Sequence, residues 1–343
     1  MKQAENIKMG YLFIPFKEYV RKIGGPSTFM QNLEVYLKEK QFNYYSNLRH
    51  LEKAKGIFFP VSFDKYFLDF FKQNSFPVIQ RLDGVYYPSK HGQAFEELNK
   101  DIRDIYQNYA DFIIFQSNYC RQQCFEMFGE KPPGKYSIII NGADTKIFFP
   151  NRININEKTA VPEIFQIITT GSFRNVDMIE PVILALDELS KNYRFILTIA
   201  GPVLNDKIRR LLNRKYIRHI SKASLMQIAR YLRASDILVY SHLNPPCPNS
   251  VIEAICCGIP VAGFKSGAMQ ELLFFANDLL ADVPDKIFQE YPDFNPDLLK
   301  EKIEYAFNNY IEIKKRALDY SYLYSFSETG DKYLKIFNQL LVK

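Results

Sequence analysis

The feature that most constrains this 343-residue chain is a repeated alternation of short, continuous apolar runs with longer amphipathic stretches. A strand with one face in water alternates apolar and polar residues. A run apolar throughout belongs to a strand buried on both faces, as in a parallel sheet covered by helices. In the first half the strand candidates are MGYLFIPF (9–16), GIFFPV (56–61), PVIQRL (77–82), DFIIFQS (111–117) and YSIIIN (136–141). In the second they are FQIITTG (165–171), FILTIAG (195–201), IRHIS (217–221), DILVYS (236–241) and IPVAGF (259–264). Helix-period segments lie between them, for example Thr28 to Lys38 and Ala94 to Tyr109. Strand–helix alternation of this kind predicts an α/β chain built from βαβ units.

The length exceeds one ordinary α/β core, so two domains are expected. The polar, aperiodic stretch Phe149 to Pro162 is the linker candidate. It sets the expected limits at 1–150 and 151–324, and from Asp297 the sequence turns helical, with apolar residues every three or four positions through Leu341.

Composition removes several classes. Apolar residues form 47% of the chain, enough for packed cores. Cys120, Cys124, Cys247, Cys256 and Cys257 are odd in number and fit no zinc spacing, so reduced, buried thiols are expected. The N-terminal MKQAENIKMGYLFIPF lacks the apolar core and cleavage site of a signal peptide, and no run reaches the ~18 apolar residues of a membrane span. A cytoplasmic protein is the expectation. The charge of +6 favours anionic partners without choosing among them, and scattered basic residues without interleaved aromatics argue against nucleic acid. The basic segment Asn205 to Lys215 and the aromatic DKYFLDFF (64–71) raise peripheral contact with the inner membrane face, against the plainer reading of a solvated surface.

Parallel sheets bind ligands beyond the carboxyl ends of their strands, so the following loops are where chemistry is expected. After the first strand comes Gly24-Gly25-Pro26-Ser27-Thr28, where the glycines admit a ligand close to the backbone and Ser27 or Thr28 can cap the next helix. Asp83 ends the strand that carries Arg81 and can orient a hydroxyl; an Asp-Gly turn with a structural ion pair is the competing reading. Gly171-Ser172-Phe173-Arg174 offers a guanidinium suited to phosphate oxygens, or simply a surface arginine. The most informative segment is SHLNPPCPNSVIEAICCGIPVAGFKSGAMQEL (241–272). There Asn249 or Ser250 is expected to cap a helix whose N-terminus can take an anion, and Glu253 is expected in its first turn, where a carboxylate can accept hydrogen bonds from a ribose diol. The paired-glycine loop is not G-x-G-x-x-G, which counts against a dinucleotide-dependent dehydrogenase.

Taken in order, GGPSTF, DFIIFQSNYC, IIINGADTKIFFP, TTGSFR, LTIAGP and LRASDILVYSHLNPPCPNSVIEAICCGIPVAGFKSGAMQEL resemble the large retaining glycosyltransferase family called family four, over nearly the whole chain. The resemblance implies two Rossmann-like, doubly wound parallel-sheet domains facing a cleft (GT-B), with the segment YSFSETGDKYLKIFNQLL, roughly 325–343, crossing back to complete the first. It implies a UDP- or GDP-sugar held mainly by the second domain, and a glycan or lipid-linked acceptor facing the first. By position, Glu253 matches the second glutamate of the family's Glu-x7-Glu motif and binds the ribose. Asn249, Ser250 and Val251 match the helix start under the diphosphate; Gly24 and Gly25 match the loop approaching it. Arg174 falls near the diphosphate-binding arginine, and His219 and Ile220 fall where the base is bordered. Two departures stand out: Pro245 occupies the place of the first glutamate, and no lysine follows Arg174 closely.

The expected reaction is transfer of a sugar with retention in a polysaccharide or surface-glycan pathway. The chain has no Asp-x-Asp, so neither metal nor other cofactor is expected; Arg174 and the 249–251 helix start take the metal's part, with Asp83 positioning acceptor or sugar. The alternative is a nucleotide-sugar-binding partner of an active transferase, impaired in turnover.

Overall fold

The computed structural model describes residues 11–19, 25–151, 161–284, 287–290 and 295–341. They form two compact units: the described residues up to Asn141 with the returning helix Phe326–Leu341, and Gly142 to Ser325. The division at Asn141 precedes the expected limit at 150, because the intervening segment packs on the second unit. Ala143 bridges Ser325 and donates its N–H to the Tyr324 carbonyl (2.8 Å), and the Arg233 guanidinium donates to the Ile147 carbonyl (2.8 Å). Most of the 149–162 linker lies outside the described residues.

The first unit holds β1 (Leu12–Phe13), β2 (Tyr44–Tyr45), β3 (Ile57–Pro60), β4 (Val78–Leu82), β5 (Phe112–Phe115) and β6 (Tyr136–Ile138), in the order β2-β1-β3-β4-β5-β6. The second holds β7 (Phe165–Thr170), β8 (Phe195–Ala200), β9 (Ile217–Ile220), β10 (Ile237–Tyr240), β11 (Val261–Phe264) and β12 (Leu280–Ala281), in the order β12-β11-β10-β7-β8-β9. All pairings are parallel. The expected two-domain, doubly wound α/β fold is therefore what the chain adopts, and its helical C-terminal segment returns to the first unit as expected.

Three expectations are corrected locally. Of the run 9–16, the described residues 11–16 yield only β1, because the Leu12–Phe13 strand meets Pro15 and a helix begins at Phe16. The helix after Gly24 starts at Gly25, so Ser27 already lies inside it; its hydroxyl donates to the Tyr19 carbonyl (2.6 Å) instead of capping. The helix Asn249–Cys256 has Pro248 at its N-cap, so neither Asn249 nor Ser250 caps it, and Glu253 falls in the second turn.

Aromatic rings fill the first unit's core. Phe58 and Phe29 pack against Tyr333 of the returning helix, and Gly330 lets that helix lie against the Tyr36 ring. The second core is largely aliphatic, built from residues such as Ile167, Val182, Leu186, Leu197 and Ile303. All five cysteines are buried free thiols, as expected. No described helix is long and apolar enough to cross a membrane.

Candidate functional site

In the second unit the strand order reverses between β7 and β10, the topology that in parallel sheets makes a crevice at the carboxyl edge. Two glycines shape this edge. Gly201, at φ +134°, follows β8, and a Cβ there would drive into the Gly171 carbonyl just after β7. Only glycine permits that close crossing. Beyond it, Phe173 is fully buried and bonded to the β8 exit through Phe173 N–H to Pro202 O and Leu204 N–H to Phe173 O, both 2.9 Å. The anchored Phe173 leaves the next residue, Arg174, exposed, with its guanidinium unpartnered among the described residues and only its carbonyl held, by Asn205 Nδ2 (3.3 Å).

On the far side of the crevice, β10 leads into the Pro-rich loop and the Asn249–Cys256 helix. The loop is built rather than slack. Asn244 sits at φ +52°, buried; its N–H donates to the Ser266 hydroxyl (2.6 Å) and its Nδ2 to the Ile287 carbonyl (3.1 Å). Pro245 accepts from Ala268 N–H (2.8 Å) and lies so close to Gly267, at φ +60°, that no side chain fits there. The Pro248 carbonyl accepts the first helical bonds, from Val251 (3.1 Å) and Ile252 (3.3 Å). Asn249 and Ser250 thus occupy the first helical positions, while the Val251 side chain is fully buried and has nothing to offer a ligand.

Glu253 is the most informative residue of this edge. Its carboxyl is half-buried and has no hydrogen-bond or ion-pair partner among the described residues. Burial alone pushes its pKa up to about 8. A partly desolvated acid without a partner is costly to a fold and marks a place where a ligand can complete the arrangement. His219 and Ile220 end the edge strand β9. His219 is exposed and its Nε2 lies 3.0 Å from the Gly201 carbonyl, while the Ile220 carbonyl accepts from Gly201 N–H (2.8 Å).

Sequence reasoning missed His242. It is the second residue after β10, its ring rests on Tyr240 (centroids 4.6 Å apart), and its Cε1 is 3.4 Å from where a Gly171 Cβ would stand. It therefore occupies the switch point itself. The signal was available as a histidine two residues beyond a buried strand, at the position the topology favours.

The remaining candidates belong to the first unit. Gly24 lies outside the described residues, and Gly25 has open space where a Cβ would be. Asp83 sits in a buried polar network. Arg81, fully buried, donates to the Tyr333 hydroxyl through Nε (3.1 Å), to Asn141 Oδ1 through Nη2 (2.9 Å) and to Asp83 Oδ1 through Nη1. Gln116 adds a second bond to Asp83 Oδ1 (2.7 Å) and accepts from Asn141 Nδ2 (2.9 Å). Oδ2 of Asp83 has no partner among the described residues. Burial raises the Asp83 pKa, and Arg81 pulls it back. At this unit's own switch point, between β1 and β3, lies a cavity of about 860 Å³ lined by Tyr19, Ser27, Ser62 and Asp64, among others.

Residues 164–289 match the family described as glycosyl transferases group 1. No curated protein matches the sequence. Among solved structures, sucrose-phosphate synthase from Thermosynechococcus elongatus superposes with a TM-score of 0.71 at 14% identity, covering 97% of this chain and 99% of that one. HepE from Anabaena in complex with UDP-glucose gives a TM-score of 0.72 at 12% identity, covering 96% and 100%. A glycosyltransferase from Rickettsia africae gives 0.65 at 15% identity, covering 97% and 99%. The chain thus has the GT-B fold of these proteins, and the residues that match glycosyl transferases group 1 include the loops described at the second unit's carboxyl edge.

Proposed function

We propose that the chain is a glycosyltransferase that takes a sugar from a UDP- or GDP-sugar held by its second unit. The observation that carries this reading is the Glu253 carboxyl. A ribose diol supplies the two O–H donors that this half-buried, unpartnered acid lacks. The diphosphate then extends toward the start of the Asn249–Cys256 helix and Arg174, where the helix dipole and a guanidinium both favour negative charge. His219 and Ile220 border the base. UDP-glucose bound to Anabaena HepE makes the uridine series the first to test.

The bond between the anomeric carbon and the diphosphate breaks with its electron pair going to the phosphate oxygen, and the acceptor oxygen bonds to the same carbon. The acceptor proton passes to the departing phosphate. Entry from the leaving-group side gives retention. Arg174 and the helix start meet the growing charge without a metal or other cofactor. The acceptor, a glycan or lipid-linked sugar of a polysaccharide pathway on the inner membrane face, is taken by the first unit, with Asp83 Oδ2 accepting from its hydroxyl.

Pro245 favours a second reading, a donor-binding partner impaired in turnover, because it removes a carboxylate that the family places on the sugar. Thermal shift against UDP, GDP and their sugar conjugates, with and without magnesium, tests the donor site. A metal-independent rise with one series, lost in Glu253→Ala, is the expected result; no rise with any nucleotide overturns both readings. Product formation by the purified chain then separates transferase from partner.

A further inference from the structure

The opposite edge of the first sheet holds a second cavity, of about 680 Å³, which the donor and acceptor chemistry does not use. It lies where β3, β4, β5 and β6 begin, at the amino edge, among Lys55, Lys72, Lys135, Asp111, Phe76 and Leu341. The backbone fixes these positions. Lys55 N–H donates to Tyr11 O (2.8 Å), Ile57 N–H to Pro77 O (2.9 Å), and Ile113 N–H to Lys135 O (3.0 Å). Lys55 and Lys135 therefore reach the hollow from the entries of β3 and β6, and Lys72 reaches it from the last turn of the helix Lys65–Gln73.

Their charge is not balanced. Asp111 is the one acid of the lining, and both its oxygens are committed, Oδ1 to Lys72 Nζ (2.9 Å) and Oδ2 to Val78 N–H (3.0 Å). Lys55 lies over the Phe76 ring (4.6 Å) and, like Lys135, has no carboxylate partner among the described residues. A fourth cation, Lys131, has its pKa lowered by burial; Asp111 pulls it back up, and Lys72 and Lys135 push it down again. Like charges gathered around an aromatic and aliphatic wall are unfavourable unless an anion joins them.

We propose that this cavity binds a phosphate-bearing anion with an apolar flank: the phosphate among Lys55, Lys72 and Lys135, the flank on Phe76 and Leu341. Such a group can be a soluble phosphate ester or the headgroup of an anionic lipid, and two probes separate these sources. Inorganic pyrophosphate, titrated calorimetrically at low salt with the donor site saturated by UDP, reads the soluble source. Co-sedimentation with phosphatidylglycerol vesicles, against phosphatidylcholine alone, reads the lipid source.

With each lysine contributing a fivefold or so effect, Lys55→Gln with Lys135→Gln weakens binding roughly thirtyfold in whichever arm is positive, and higher salt does the same to the wild type. UDP binding and the thermal midpoint stay unchanged in this variant, which shows that it has folded. Binding of both probes equally by variant and wild type, or of neither by the wild type, overturns the proposal. The donor reading stands or falls separately: should UDP fail to bind, pyrophosphate is titrated alone, and the lysine variant still decides.

Discussion

The two units share one sheet architecture, and the charges described at the carboxyl edges of their sheets are held in opposite ways. In the first, Arg81 is fully buried with every direction engaged: three hydrogen-bonding neighbours on separate segments and the Phe29 face 3.8 Å away. In the second, the Arg174 guanidinium and the Glu253 carboxyl have no partner among the described residues. Charges that satisfy one another hold architecture, whereas charges left open beside a crevice are available to a ligand. The first unit's network joins β4, Asn141 at the unit limit and the returning helix.

The largest break in this contrast is Arg81→Met. It strands a buried Asp83 and leaves the Asn141 and Tyr333 partners unmet, so stability falls by about 3–5 kcal/mol in urea unfolding. A loss below about 1 kcal/mol would show that the network does not hold the returning helix.

The contrast extends into the second unit's interior. Lys314 is buried, its amine has no hydrogen-bond partner among the described residues, and burial lowers its pKa to about 8, against the pull of Asp236 and Cys257. Asp236 is already committed to Tyr310 (2.7 Å) and to Gln166 N–H (2.8 Å). A base with a depressed folded pKa destabilises fully below that pKa and is relieved as pH rises past it. Lys314→Met therefore stabilises the chain at pH 7 by roughly 2–3 kcal/mol. Wild-type stability gains on raising the pH from 8 toward 10.5, and the variant lacks that gain.

Much of this was legible in the sequence where a pattern repeats. Buried parallel strands such as Phe165–Thr170 and Ile237–Tyr240 are continuous apolar runs and read correctly. The two-residue strands Tyr44–Tyr45 and Leu280–Ala281 were missed, since a pair of residues has no period to detect. Local adjacency gave the Arg81–Asp83 pair, two residues apart, but its other partners lie 60 and 252 residues from Arg81, and only the fold joins them. The cap at Asn249 or Ser250 was a propensity argument, and the Pro-rich loop overrode it by placing Pro248 at the turn. Glu253 was found by position; that it lacks a partner could only come from its surroundings.

The exposed counterpart of Arg81 gives the next test. Arg174→Ala removes no buried contact, so stability stays within about 0.5 kcal/mol of wild type. If the guanidinium meets the diphosphate, UDP affinity falls by about 2 kcal/mol, near thirtyfold, measured by calorimetry. An unchanged affinity removes Arg174 from the donor site while leaving the fold argument intact.

The finest distinction concerns the protonation of Glu253. Its folded pKa of about 8 lies above the usual 4.5, so at neutral pH the empty site holds a neutral acid. A ribose diol donates two hydrogen bonds, and the carboxylate accepts both better than the acid does. Nucleotide binding therefore favours the ionised form, lowers the pKa and releases a proton. UDP affinity rises by about tenfold, or 1.4 kcal/mol, per pH unit on approaching pH 8, then levels off above it. Calorimetry in buffers of different ionisation enthalpy counts the released proton directly. Glu253→Gln keeps the shape, cannot ionise, and abolishes both the slope and the proton release. Should the wild type bind UDP without either, the ribose rests on another group and the empty acid belongs to the fold; should both appear in the wild type and vanish in the variant, Glu253 is the charge that the second unit leaves open for its ligand.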